Sequence, residues 1–160
     1  MADNPNVFKG TRYDALRIIG LDSWDRRGAQ LSRYLEKGVD DELQQGAIGG
    51  IGNMRSPHVA GAILSGFAHY NQENRGFALD ALLNDSARIS ALLDAVEAGT
   101  IKPTDLGPAR IAKLTHSADS AIRVRARKLL TTSGGQGRRI NGAKVVAIGN
   151  VAVNCRPMAV

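Results

Sequence analysis

The chain has 160 residues, 43% hydrophobic but only 4% aromatic, with a single cysteine, Cys155. This is enough for one domain with an aliphatic core, and it excludes an internal disulfide, a multi-cysteine metal site and extensive base stacking on aromatic rings. The net charge of +6 is unevenly placed: residues 1–115 carry 13 Lys and Arg against 14 Asp and Glu, whereas residues 116–160 carry 8 against 1.

Met1 to Asn6 is polar, and fraying is expected there. From Thr11 to Gly20 the apolar positions Tyr13, Leu16 and Ile19 follow helical spacing, with Gly20 as a stop. Asp22 or Ser23 is suited to cap a second helix, whose stripe is Leu31, Tyr34 and Leu35 and whose end is Gly38. Asp40 caps a third, running to about Met54. Ser56-Pro57 starts a fourth, since proline is tolerated in a first helical turn, and Val59, Ile63, Leu64 and Phe67 line its face. Asn71 to Glu73 turns the chain into a helix around Ala78 that ends near Asn84. Asp85 or Ser86 caps the next, which stops at Gly99. Thr100 to Gly107, with Pro103, reads as a loop ending in a cap at Thr104 or Asp105. A short helix with Ile111 and Leu114 follows, then a cap at Ser117 or Asp119 and a last helix to about Leu130.

Beyond it the composition changes. Residues 133–160 read as a Gly/Arg linker and tail, with Lys144–Ile148 and Val151–Val153 flanking Gly149-Asn150 in a hairpin pattern. A lone hairpin is marginal in water, so this stretch is expected to be a tail or part of a neighbouring domain. The first thirty residues hold no signal-peptide core, and no run approaches the roughly 20 apolar residues of a membrane span.

One word recurs along the helices. Arg12, Gln44, Arg75 and Arg123 each stand three residues before an alanine (Ala15, Ala47, Ala78 and Ala126), and a large aliphatic side chain follows each alanine. Ala15, Ala47 and Ala78 are 32 and 31 residues apart. An internal repeat of this length implies helix pairs that bury their apolar faces only by stacking. The expected fold is therefore all-α, an α-solenoid of antiparallel helix pairs over residues 1–132. Gly46, Gly49, Gly50 and Gly52 within one helix are expected to mark close approach of neighbouring helices, since each costs about 1 kcal/mol relative to alanine.

These repeats resemble HEAT repeats. Ala91 to Leu106, followed by Leu114 to Asp119 and Ile122 to Leu130, is similar to the HEAT segment of large bacterial membrane-bound dehydrogenase-like proteins, and the resemblance covers about residues 10–131. In that family the segment precedes a c-type cytochrome domain. Here Asn150 to Arg156 lacks the Cys-x-x-Cys-His sequence that holds such a haem, so no haem and no other cofactor is expected.

Candidate chemistry is sparse. His58 and His69 are eleven residues apart, roughly 16 Å along a helix, too far to share a metal ion. His116 lies among capping residues. Gly49-Gly50-Ile51-Gly52 follows no strand and lacks a Gly-Lys-Ser/Thr ending, so it reads as helix packing rather than a phosphate loop. Asp94 and Glu97 read as a solvated helix face, Cys155 as an incidental thiol and Trp24 as a packing residue at a repeat junction. The strongest feature is a basic set, Arg123, Arg125, Arg127, Lys128, Arg138, Arg139 and Lys144, suited to phosphate or an acidic protein surface. No constellation of nucleophile, base and orienting group can be assembled. The expected function is a non-catalytic scaffold that docks a protein partner on the concave face of the second helices, Leu31 to Leu35, His58 to Phe67 and Ile89 to Val96. Nucleic-acid binding through the C-terminal basic stretch is the alternative.

Overall fold

A computed structural model describes residues 1–132. The expected linker and hairpin, together with Arg138, Arg139, Lys144 and Cys155, lie outside the described residues. Within them the chain is all-helical: α1 (Lys9–Ile19), α2 (Trp24–Ser32, continued by a 3-10 turn over Arg33–Leu35), α3 (Asp41–Asn53), α4 (His58–Gly66), α5 (Gln72–Leu82), α6 (Ser86–Glu97), α7 (Pro103–Thr115) and α8 (Ser120–Thr132).

Local chemistry sets most of these boundaries. Asp40, Asn71, Asp85 and Asp119 each accept a hydrogen bond from a main-chain N–H in the first turn of the helix that follows, at 2.8–3.0 Å. Such a cap is typically worth about 1 kcal/mol. Ser23 precedes α2 but gives its side chain to no cap bond; Asp22 instead accepts from the Ser23 N–H at 2.8 Å. Gly99 ends α6 at φ 76°, a left-handed conformation that a side chain would oppose.

Two sequence expectations are corrected. The segment after Thr100 is not a loop through Gly107: α7 begins at Pro103, with Asp105 accepting from the Lys102 N–H at 3.1 Å. Gly107, at φ 70°, breaks the helix after one turn, and Pro108 opens its second part. The amino terminus does not fray either. Ala2 is buried, its carbonyl accepting from Arg12 Nε at 2.7 Å and from the Tyr34 hydroxyl at 3.0 Å. Asp3 accepts from Tyr34 at 2.8 Å and Gln30 at 2.6 Å. The Tyr34 hydrogen bond, with Gln30 and the Arg33 charge, holds the Asp3 carboxyl below its ordinary range. Its contribution is therefore present above the usual carboxylate pKa and fades as pH falls through the lowered value.

Packing follows a two-row rule. In one row α1 lies against α3 and α3 against α5; in the other the turn after α2 lies against α4, α4 against α6 and α6 against α8, with α7 packed on α8. A single aliphatic core fills the space between, with Leu16, Leu31, Ile48, Ile51, Ile63, Leu82, Leu92 and Leu93 fully buried. The α1–α3 approach is closer than any side chain permits. A Cβ at Gly50 would stand 2.5 Å from the Leu16 carbonyl oxygen, and one at Gly20 would stand 2.2 Å from that of Gly50. Gly46 is pressed by Tyr13 and Gly52 by the Ala81 Cβ at 3.1 Å, but Gly49 meets only the Arg17 side chain at an ordinary 3.7 Å. Close approach thus accounts for Gly46, Gly50 and Gly52 and not for Gly49.

The recurring word has a physical meaning. Three of its four polar members reach back to the segment before their own helix: Arg12 to the Ala2 carbonyl, Arg75 to Ala68 and Arg123 to Ser117. The fourth, Gln44, accepts from Asn74 Nδ2 at 3.1 Å, while the same amide donates to the Asp41 carbonyl at 2.9 Å. Both side chains are buried, so this pair fixes α3 to α5, with Gln44 Oε1 and Asn74 Nδ2 each given a partner.

Candidate functional site

The described half of the basic set lies on α8, and its arginines are held by the protein itself. Arg125 donates through Nη2 to Asp94 and to Glu97 at 2.6 Å each. Arg123 donates to the Ser117 carbonyl at 2.7 Å and Arg127 to that of Thr115 at 3.0 Å. Lys128 is exposed beside them. The carboxylate pair Asp94 and Glu97 is thus brought together with a cation, an arrangement suited to joining α6 to α8 rather than to acid–base work.

The other candidates are dispersed. His58 opens α4 and stacks on Trp24 with ring centroids 5.7 Å apart, which gives Trp24 a packing role. His69 closes the 3-10 turn beyond α4. The His116 Nδ1 lies 2.9 Å from the Ala112 carbonyl at the end of α7. Gly49 to Gly52 lie inside α3. Among the described residues no three His, Cys, Asp or Glu side chains gather where they could hold a metal ion, and no helix is long and apolar enough to cross a membrane.

Of the residues expected to form a docking face, Leu31, Leu35, Val59, Ile63, Phe67, Leu92, Leu93 and Val96 are core. The same helices expose small residues outward, Ala29 on α2, Gly61 and Ser65 on α4, Ala87 and Ser90 on α6, alongside charged ones such as Arg26 on α2 and Asp94 on α6. Between the first turns of α4 and α6 lies a cleft of about 720 Å³, bounded by Arg55, Pro57, Ala60, Asp85, Ala87 and Ala91. A smaller groove of about 270 Å³ crosses the other row beside Tyr13, Arg17, Phe77 and Asp80.

Sequence reasoning missed the side chains that bridge the rows. Arg110 grips Asp80 with two bonds of 2.6 and 2.8 Å and also donates to the Gly76 carbonyl. Arg88 donates to the carbonyls of Gly52, Ala81 and Met54 at the ends of α3 and α5. The partners of Arg125 and of the Asn74 side chain, and the more distant partners of Arg110 and Arg88, lie 28 to 36 residues away. That spacing close to the repeat length was the available signal.

No family model, curated protein or solved structure matches the chain.

Proposed function

We propose that residues 1–132 form a HEAT-like α-solenoid that acts as a non-catalytic protein-interaction platform, docking its partner on the concave outer face of α2, α4 and α6. The alternation of row contacts and the bridges at repeat spacing support the solenoid. Gly61 carries the docking reading. It sits in the middle of α4, exposed, and a Cβ there would have nothing within 4 Å. A mid-helix glycine costs about 1 kcal/mol against alanine, and no contact among the described residues offsets that cost. A partner surface lying close on α4 accounts for it, and Ser65 on α4 and Ala87 and Ser90 on α6 are small and exposed as well. Binding of nucleic acid is less well supported, because Arg125 is committed to Asp94 and Glu97.

The test is site-specific photo-crosslinking in the native host, with a benzophenone side chain at Ser65 or Ser90 and at Glu73 and Lys113 as controls, all exposed. Ser65 and Ser90 are expected to yield one discrete protein adduct that the controls do not. Adducts only from the controls, or none from either α4 or α6, would contradict the platform.

A further inference from the structure

The cleft between α4 and α6 has a chemistry of its own, and the occupant inferred for it rests on the platform reading of this face. The apolar part of its lining is Pro57, just before α4, Ala60 from α4, and Ala87 and Ala91 from α6, with Ser56 beside them. Ala60 is almost fully buried, so the floor is packed and firm.

The rim is cationic. Arg55 is exposed, and its side chain makes no ion pair or hydrogen bond with the described residues. Arg88 turns its guanidinium to main-chain carbonyls, which hold it in place without cancelling its charge. The one acid lining the cleft, Asp85, commits its Oδ1 to the N–H groups of Ala87 and Arg88 at 2.8 and 3.3 Å. Both helices also point their amino-terminal, partially positive ends this way. With Arg55, Arg88 and two helix amino termini against the single Asp85 carboxylate, the rim keeps a surplus of positive charge that a partner carboxylate would match, and an aliphatic side chain is what the floor accepts.

A nucleic-acid strand fits the site less well. No aromatic ring lines the cleft for a base to stack on. Residues 1–132 carry 17 Lys and Arg against 15 Asp and Glu, so this part of the chain brings almost no net positive charge to a nucleic-acid backbone. We propose that this cleft docks a short segment of a partner protein in which an acidic residue adjoins a small aliphatic one, the carboxylate on Arg55 and the aliphatic side chain against Ala60, Ala87 and Ala91.

The test uses the full chain and a fluorescein-labelled peptide pool, Asp-Glu-x-x with x drawn from Ala, Val and Leu, read by fluorescence anisotropy. A Lys-Lys-x-x pool and a single-stranded oligonucleotide serve as comparisons. Arg55→Glu and Ala87→Trp alter exposed positions, and circular dichroism verifies that both variants keep the wild-type melting curve. The acidic pool is expected to bind the wild type. Arg55→Glu should weaken it by roughly tenfold and gain binding of the Lys pool, and Ala87→Trp should abolish it by filling the cleft. The proposal is overturned if the acidic pool does not bind, if neither variant changes its binding, or if only the oligonucleotide responds to Arg55→Glu. In those cases persisting crosslinks from Ser65 and Ser90 keep the platform reading intact, whereas loss of the crosslinks as well removes both.

Discussion

Replacing Gly50 with alanine destabilises the protein by about 3 kcal/mol, although alanine is the better helix former by about 1 kcal/mol. The sign is set by the neighbour. The added methyl would stand 2.5 Å from the main-chain oxygen of Leu16 and 3.5 Å from Leu31, and a backbone carbonyl inside a hydrogen-bonded helix has no rotamer by which to move aside. Relief requires α1 and α3 to separate along their length, which loosens the contacts of Leu16 and Ile48 as well. Gly61 provides the control, because its surroundings are open. Gly61→Ala is expected to stabilise by up to about 1 kcal/mol. Melting curves of the two variants should therefore move in opposite directions. A rise in both would mean that α1 and α3 do not touch at Gly50.

Enlarging the central alanine of the repeat word gives the second large effect. Ala47 and Ala78 are fully excluded from solvent, each on a helix of the first row. A leucine at either position adds three carbons to a site that has no room for them. The expected cost is about 3 kcal/mol or more, through off-rotamer side chains and displaced helices. Ala15 holds the same place in the word but is only half-buried, since α1 is the first helix of its row and, among the described residues, packs mainly on α3. Ala15→Leu should stay within about 0.5 kcal/mol of wild type. Thermal or urea unfolding of the three variants decides it: equal tolerance at all three positions would remove the meaning of the repeat.

The contrast between Ala15 and Ala47 also indicates what the sequence can and cannot reveal. Helix existence is legible because short-range rules govern it: Asp40, Asn71 and Asp85 are good caps wherever they occur, and Gly99 is a good stop. The repeat is legible because burial recurs with the word. The order of the amino terminus is hidden because the signals there are all polar. Ala2 and Asp3 are held by Arg12, Gln30 and Tyr34, partners that local periodicity does not reveal. The start of α7 is hidden because Pro103 and Gly107 suggest a loop singly, while together they bracket one helical turn.

The basic set illustrates the same limit for function. Counted with its sequence neighbours, Arg125 looks available to a ligand. Its acidic partners lie 31 and 28 residues upstream, on a helix face that reads as solvated from its own sequence. Charge counted along the chain does not identify which charges oppose one another across a helix interface. The cleft beside Arg55 is invisible for the converse reason, since its walls come from two helices and its floor from alanines that carry no motif.

The central claim is that α3 and α5 lie side by side in one register, with position 52 facing position 81. A Cβ at Gly52 would stand 3.1 Å from that of Ala81, a few tenths of an ångström short of the range in which disulfides form. The decisive measurement is mass spectrometry of the oxidised Gly52→Cys/Ala81→Cys double variant in a Cys155→Ser background, with Gly61→Cys/Ala81→Cys as the mismatched pair. The expected result is rapid, intramolecular and near-complete bridging between positions 52 and 81 with the helical circular dichroism retained, and little bridging in the mismatched pair. Free thiols at 52 and 81 in a folded protein, or equal bridging in both pairs, would contradict it.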